Sequence, residues 1–210
     1  MDGSPKLKRA GSEPQLGLNP TRGQKIIFYA DVKNSKISRL AARKSNGEVT
    51  VVVETPKGHR NKFKYDEEKN VFTLSGVLPV GSSFPYDFGF IPSTKAPDGD
   101  PIDVLLLMDE PAFPGCLIDA RLVGVIEAEQ TEDGKTTRND RLIAAAAHSN
   151  DYSDLRSLRD VNPHLIEEIQ HFFISYNQVR GKKFKPIGVH GPKRAMKLLK
   201  QSMEVFKKAA

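Results

Sequence analysis

The segment DGDPIDVLLLM, residues 98–108, joins a cluster of carboxylates to an uninterrupted apolar run. The run PIDVLLLM, residues 101–108, has the length of a strand and lacks the alternation of a half-buried one. It therefore predicts a strand that is buried on both faces. Pro111, Pro114 and Gly115 follow it and predict turns before the next strand begins.

Closely spaced strands are predicted on both sides of this run. EVTVVVET, residues 48–55, is rich in β-branched residues, which favour strands. Residues 120–130 and 141–147 are also strand-like, and they flank the hairpin signal Asp133-Gly134. Residues 48–147 thus predict a β-barrel or a β-sandwich.

The last third of the chain changes to a helical period. Two helices are predicted, beginning near Pro163 and near Pro192. Their apolar faces hold Leu165, Ile169, Phe172, Phe173 and Tyr176 in the first helix and Met196, Leu199, Met203 and Phe206 in the second. Strands followed by helices packed outside them predict a single α+β domain.

The positive charge is concentrated at the N-terminus. The 210 residues carry a net charge of +6, but residues 1–47 alone sum to +7 and the rest to −1. A nucleic-acid-binding domain is expected to carry its basic stripe on the folded body, so this charge distribution disfavours nucleic acid as a partner. Within the leader, residues 26–32 resemble a short strand and residues 37–44 a helical turn.

Several classes of protein are disfavoured by composition. The single Cys116 excludes a disulfide framework and a multi-cysteine zinc site. Charged residues interrupt every apolar stretch well before the roughly 18 residues that a membrane span requires. The N-terminus also lacks the apolar core of a secretory signal. We therefore expect a cytoplasmic protein without a membrane partner.

Three carboxylates, Asp98, Asp100 and Asp103, fall within six residues. Gly99 and Pro101 shape the chain between them, and converging oxygen ligands without imidazole or thiolate suit Mg²⁺ or Mn²⁺. An acidic surface turn is the simpler interpretation of such a pattern. An EF-hand and an aspartyl-phosphate phosphatase fit poorly, because the residues that flank the carboxylates do not match either motif.

Six blocks, in order, resemble the family I soluble inorganic pyrophosphatases: VVVETP (51–56), KFKYD (62–66), FPYDFGFIP (84–92), DGDPIDV (98–104), EPAFPGC (110–116) and HFFISY (171–176). The fourth block matches the family signature D-G-D-P-hydrophobic-D-hydrophobic without a gap. The resemblance implies a five-stranded OB-like closed β-barrel with flanking C-terminal helices. It makes residues 48–210 a pyrophosphatase-like domain and leaves residues 1–47 as a basic, largely disordered or loosely docked leader.

The resemblance also implies an activity, the Mg²⁺-dependent hydrolysis of inorganic pyrophosphate by metal-activated water, with Mn²⁺ as a substitute. A homo-oligomer is implied as well. The implied site residues are the metal ligands Asp98, Asp103 and Glu54, the catalytic Asp100, and the substrate-binding Lys64, Tyr176 and Arg141.

Five positions lose a charged or hydrogen-bonding group of the family pattern, and two more, Asp66 for a Glu and Arg141 for a Lys, keep the charge. The family has Arg at Gly76, Tyr at Phe88, Lys at Asn177, and metal-binding Asp at Gln130 and Asn139. Strand parity predicts that Asn139 and Arg141 share one face and Asp140 the other, and a one-residue slip would reverse this. A basic loop of Lys57, His59, Arg60 and Lys62 is either solvated or closes over phosphate.

Three functional hypotheses stay open at this point. The first is pyrophosphate hydrolysis, and the second is a related metal-dependent hydrolysis of an organic diphosphate or phosphoester. The third is a non-catalytic binding protein built on the same fold. The joint presence of Asp98, Asp100 and Asp103 favours an enzyme, because a binding protein has little need for all three.

Overall fold

Between residues 49 and 146 the regular structure consists of strands, and the two α-helices follow after it. The computed structural model describes residues 36–209. Within that range, the strands are β1 (Val49–Thr55), β2 (Asn61–Asp66), β3 (Val71–Val77), β4 (Asp87–Phe90), β5 (Asp103–Leu107), β6 (Leu117–Glu132), β7 (Lys135–Arg138), β8 (Arg141–Ala146) and β9 (Lys183–His190). The helices there are α1 (Pro163–Val179) and α2 (Pro192–Ala209), with short 3₁₀ turns at Ile37–Arg39 and Leu158–Asp160.

Five strands pair in a ring. The order β1–β4–β5–β8–β6 returns to β1, because β6 pairs with β8 through one part of its length and with β1 through another. The β5–β8 pair is parallel and the other four pairs are antiparallel. The far end of β6 extends beyond the ring and pairs with β7 and β9. The α+β class predicted from the sequence is thereby confirmed.

The central strand β5 is buried on both faces, as its apolar run predicts. Val104 and Leu106 join one core cluster with Leu199 of α2. Leu105 points the other way and joins a second cluster with Phe173 of α1. Each such side chain contributes roughly 1.5–3 kcal/mol on burial. The apolar cluster on one face of β5 therefore includes α2, and the cluster on its other face includes α1.

The β2–β3 hairpin forms its own two-stranded sheet. Its Tyr65 ring stacks on Phe90 of β4 with ring centroids 6.0 Å apart, which fixes the hairpin against the ring of strands. Lys62 of β2 lies opposite Gly76 of β3 in the register of the hairpin. The hairpin thus carries Lys62 and Lys64 to the edge of the ring.

Both helices begin where proline predicts. Pro163 opens α1, and the side chain of Asn162 caps it by accepting a hydrogen bond from the His164 N–H at 3.0 Å. Gly181, with φ at +73°, follows the end of α1, and Pro192 opens α2. No helix in the described part of the chain combines the length and apolarity needed to cross a membrane.

The local sequence patterns of β4 and β9 do not predict strands. β4 is only four residues long and contains Gly89, so its pattern is too short to predict a strand. β9 contains Pro186 and Gly188, which normally indicate a loop. It forms because it lies at an edge of the sheet, where a proline removes no needed ladder bond, and its pairing with β6 shifts register beside Pro186.

Only the end of the predicted leader lies within the described residues. The expected strand at 26–32 falls outside them, and the helical turn expected at 37–44 is limited to Ile37–Arg39. Ala42 is buried in the core, and its carbonyl accepts from the Thr50 N–H at 3.0 Å. The boundary at residue 47 stays a prediction.

Candidate active site

A cavity of about 560 Å³ is lined by the β2–β3 hairpin, the acidic loop after residue 97, the strand ends of β6 and β8, and the end of α1. All seven site residues predicted from the sequence line it. They are Glu54, Lys64, Asp98, Asp100, Asp103, Arg141 and Tyr176. The fold therefore brings together side chains that are far apart along the chain.

The acidic loop is held in shape by its own backbone. The Ala96 N–H donates to the Asp100 carbonyl at 2.8 Å, and the Gly99 N–H donates to the Ala96 carbonyl at 3.0 Å. Gly99 has φ at +95°, a conformation that costs glycine little. Asp98 Oδ1 accepts from the Asp100 N–H at 3.2 Å. This tight turn directs the carboxylates into the cavity.

Asp100 has a lysine as its counter-ion. Lys64 Nζ lies 2.8 Å from Asp100 Oδ2. Burial opposes the charge of Lys64, but the hydrogen bond to Asp100 and the nearby carboxylates outweigh it and raise the pKa of Lys64. The ammonium is thus fully charged at the cavity surface.

Asp103 has an arginine as its counter-ion. The Arg141 guanidinium pairs with Asp103 and also donates to Asn139 Oδ1. It is almost completely buried and lies 5.9 Å from the Phe88 ring and 5.1 Å from the Phe173 ring. This aromatic surrounding holds the guanidinium in place, so Arg141 is locked beside a carboxylate.

Glu54 and Asp98 are desolvated carboxyl groups near the charge of Asp103. Burial, helped by the charge of Asp103, raises the pKa of Glu54 to about 7, although Tyr65 N–H donates to its Oε1 at 2.7 Å. Desolvation at the cavity wall, again helped by Asp103, raises the pKa of Asp98 to about 6. A positive charge placed nearby would therefore stabilise the ionised form of both carboxyl groups.

The donor set fits a hard divalent cation. Glu54, Asp98, Asp100 and Asp103 offer only oxygen atoms, which Mg²⁺ and Mn²⁺ prefer. Desolvation raises the pKa of Glu54 and of Asp98, the charge of Asp103 adds to the effect, and a bound cation would offset that charge. Within residues 36–209, no three His, Cys, Asp or Glu side chains are already grouped as a metal site. A cation would thus draw these carboxylates closer together.

The β6–β8 region faces the cavity in the register that strand parity favours. Gln130, Asn139 and Arg141 line the cavity, and Asn139 Nδ2 donates to Gln130 Oε1 at 3.1 Å. Asp140 points away, accepting from the Ala128 N–H at 3.0 Å and from Arg138 at 2.8 Å. Two amides therefore stand where the family pattern has carboxylates.

The other departures have distinct local structures. Phe88 packs its ring in the core beside Arg141. Asn177 is buried, and its Nδ2 donates back to the Phe173 carbonyl at 2.8 Å, so it serves the helix. Gly76 leaves a space into which a guanidinium projects, since a Cβ built there would lie 2.8 Å from an Arg180 Nη.

Sequence reasoning missed two cations at the cavity, Arg180 and Lys182. Lys182 Nζ pairs with Glu132 Oε2 at 2.7 Å. Both follow the last turn of α1 around Gly181, a glycine that signals a helix end. That signal predicts where the helix stops, but it does not predict that the Arg180 side chain lies beside Gly76 of β3 or that the chain then pairs with β6.

Only one residue of the predicted basic loop reaches the cavity. Lys62 lines it, whereas Arg60 donates to the Leu78 carbonyl at 3.0 Å. Lys57 lies over the Tyr86 ring, 5.8 Å from its centroid. In the described part of the chain, neither Lys57, His59 nor Arg60 lines the cavity.

A strand ring with an acidic, cation-rimmed cavity defines a class of protein suited to a polyanionic substrate that binds with divalent cations. Residues 51–207 match the family of inorganic pyrophosphatases. The chain is 35% identical over 171 residues to an inorganic pyrophosphatase of Nostoc sp., covering 81% of this chain and 99% of the relative. The inorganic pyrophosphatase of Synechocystis sp. is 34% identical over 171 residues, with the same coverage.

Solved structures agree with this likeness. The crystal structure of the inorganic pyrophosphatase from Thermus thermophilus superposes with a TM-score of 0.76 at 32% identity, covering 82% of this chain and 99% of that one. The inorganic pyrophosphatase from Helicobacter pylori gives a TM-score of 0.71 at 27% identity, covering 82% and 96%. The chain belongs to the inorganic pyrophosphatase family, a family of metal-dependent hydrolases.

Proposed function

We propose that this protein hydrolyses inorganic pyrophosphate to two phosphates. The observation that carries the proposal is the convergence of Glu54 with Asp98, Asp100 and Asp103 in one cavity with cationic side chains. Pyrophosphate is highly anionic and needs both kinds of group. Carboxylates gather the divalent cations, and Lys and Arg receive the phosphate oxygens.

Glu54, Asp98 and Asp103 are the proposed ligands of Mg²⁺, with Mn²⁺ as a substitute. The bound cations would lower the pKa of water and offset the charge of the phosphoryl oxygens. Glu54 and Asp98 must lose their protons to act as ligands, which makes cation binding dependent on pH. Asp103 must exchange its contact with Arg141 for a cation or share it.

Asp100 is the proposed general base. Its carboxylate is exposed at the cavity and accepts from Lys64, so it can reach a water molecule there. It takes a proton from the attacking water, whose oxygen bonds to one phosphorus atom. The bond from that phosphorus to the bridging oxygen breaks, and the second phosphate leaves with the bridging oxygen.

Lys64, Tyr176 and Arg141 are the proposed contacts to the substrate. Lys64 is placed to exchange Asp100 for a phosphate oxygen, because both groups are exposed at the same point. The Tyr176 hydroxyl is a neutral donor on the α1 side of the cavity. Arg141 is buried against Asp103, so its role extends to orienting that carboxylate.

The ring of five paired strands fits an OB-like closed β-barrel with the two helices packed outside it. The family likeness favours a homo-oligomer, and apolar side chains exposed on β9, Ile187 and Val189, offer surface for contact between copies.

The direct test is phosphate release from pyrophosphate while Mg²⁺, and then Mn²⁺, is titrated in. Asp100→Asn supplies the blank, and we expect it to lose about 10²- to 10⁴-fold in turnover because the base is gone. Its fold, followed by circular dichroism, should be unchanged. Equal rates for both proteins would contradict the mechanism, and no release by the unmodified protein would contradict pyrophosphate as the substrate and favour an organic diphosphate.

A further inference from the structure

Two cations approach the same aromatic ring at the cavity. Lys62 Nζ lies 5.4 Å from the centroid of the Tyr176 ring, and the Arg180 guanidinium carbon also lies 5.4 Å from it. Lys62 comes from β2 and Arg180 from the end of α1, and both line the cavity. Two separate elements thus deliver positive charge to one place.

These cations differ from the others that line the cavity. Lys64 pairs with Asp100, Arg141 with Asp103, and Lys182 with Glu132. Among residues 36–209, no carboxylate lies within ion-pair distance of Lys62 or Arg180. Their charge is therefore available to an anion from solution.

The chain is shaped to admit the Arg180 guanidinium. A Cβ at Gly76 would lie 2.8 Å from an Arg180 Nη, so the glycine leaves the space that the guanidinium fills. Gly76 faces Lys62 directly in the hairpin register. The end of α1 is fixed as well, because Gly181 adopts φ of +73° and the Lys182 N–H donates to the Asn177 carbonyl at 2.9 Å.

We propose that Arg180 and Lys62, the two cations of the described cavity lining without a carboxylate partner, form an anion clamp that binds one phosphoryl group of the substrate. This inference rests on the proposed pyrophosphate hydrolysis. Arg180 offers a planar fork of donors that matches two phosphate oxygens, and Lys62 adds a point charge. The Arg180 guanidinium, which comes from the end of α1, thereby replaces the arginine that the family pattern has on β3 at the position of Gly76.

Stacking on Tyr176 alone does not account for the pair. One cation suffices for a favourable contact with a ring, whereas a second like charge beside it adds repulsion. An anion that is bound by both cations offsets that repulsion. The arrangement is thus suited to a bound phosphate.

The first experiment compares Arg180→Gln and Lys62→Gln with the unmodified protein. The readouts are KM and kcat for pyrophosphate with Mg²⁺, and the Kd of methylenediphosphonate, a non-hydrolysable analogue, by titration calorimetry. We expect each variant to raise KM and Kd about ten- to a hundredfold, the effect of one lost charge-assisted hydrogen bond. Arg180→Lys should recover part of the loss. Lys57→Gln, which changes a lysine outside the cavity, should match the unmodified protein.

The second experiment transfers the guanidinium from position 180 to position 76 of the β2–β3 hairpin. Gly76→Arg combined with Arg180→Ala places an arginine on β3 after clearing the space that Arg180 occupies. We expect this double variant to recover most of the affinity that Arg180→Ala alone loses. A purely structural role for Arg180 predicts no recovery, together with a lower thermal unfolding midpoint in Arg180→Gln.

The outcomes separate the clamp from the proposed function. Phosphate release with unchanged KM and Kd in Arg180→Gln and Lys62→Gln would overturn the clamp and leave the function standing. No phosphate release by the unmodified protein, with weaker methylenediphosphonate binding in both variants, would overturn the proposed function and leave the clamp standing. A protein that neither hydrolyses pyrophosphate nor binds the analogue would overturn both.

Discussion

Lys64 Nζ donates to Asp100 Oδ2 across 2.8 Å, so the proposed general base and a proposed phosphate ligand neutralise one another in the absence of substrate. The two side chains are 48% and 57% exposed. An exposed pair of this kind adds only about 0–1 kcal/mol to stability. The pair matters for function, because a phosphate oxygen of the proposed substrate can replace Asp100 as the partner of Lys64. The Asp100 carboxylate is then free to accept a proton from water.

Lys64→Gln should therefore separate function from stability. We expect turnover of pyrophosphate to fall about a hundredfold, because a charged donor to the transition state is lost. The free energy of unfolding should change by less than about 1 kcal/mol. Urea unfolding and phosphate release measure the two effects. Lys69→Gln is the matched control, because Lys69 pairs with Asp66 outside the cavity. A large loss of stability in Lys64→Gln would mean that the pair is structural.

The fold was predictable wherever one local pattern determined the outcome. The apolar run of β5 predicts a strand covered on both faces, and its neighbours Leu105 and Leu106 indeed join opposite clusters. The carboxylates of the acidic loop were predictable too, because they lie close together in the sequence. Glu54 and Tyr176 could be placed only through the family resemblance.

The rest depends on tertiary contacts that no local pattern encodes. β9 contains a proline and becomes a strand only because β6 extends far enough to pair with it. Arg180 looks like an ordinary helix-end residue, and its relation to Gly76 appears only when α1 packs near the hairpin. In the sequence, Asn177 stands only as a replacement for the lysine of the family pattern. In the structure, its side-chain amide donates a hydrogen bond to the Phe173 carbonyl.

Glu54 should make the stability of the cation-free protein depend on pH. Burial raises its pKa from 4.5 to about 7, so the folded protein keeps a proton that the unfolded chain releases between these values. The contribution of Glu54 is fully present below about pH 4.5 and is lost as the pH rises through about 7. The side chain introduced by Glu54→Gln cannot ionise, and its amide oxygen can still accept from the Tyr65 N–H. This variant should therefore lose the part of the pH dependence of unfolding free energy that Glu54 causes.

Urea unfolding with a chelator, at about pH 5 and about pH 8, measures the effect on both proteins. The unmodified protein should lose more stability than Glu54→Gln between the two conditions. Parallel losses would show that another group carries the dependence. Divalent cation affinity should run in the opposite direction and increase with pH, because the ligand must be deprotonated.

Asn139→Asp should strengthen divalent cation binding. Asn139 lines the cavity with Gln130, and an added carboxylate there supplies a charged oxygen ligand. We expect the Kd for Mg²⁺ to fall about tenfold. Gln130 can turn its amide to donate to the new carboxylate, so the fold should tolerate the change. Calorimetric titration measures the Kd. Asp140→Asn, on the opposite side of the strand, should leave it unchanged, and equal effects of both variants would contradict the assigned register.

Arg141 should contribute more to stability than an ordinary site residue does. Its guanidinium pairs with Asp103, donates to Asn139 and lies within 5.1–5.9 Å of three aromatic rings. Arg141→Met fills similar space but leaves Asp103 without its counter-ion, so we expect a loss of about 1.5–3 kcal/mol without divalent cations. Arg141→Lys restores the charge and should lose less, although an ammonium cannot reproduce the planar contacts. Urea unfolding of both variants measures the difference, and equal stability of Arg141→Met and the unmodified protein would show that the pair with Asp103 contributes nothing to the fold.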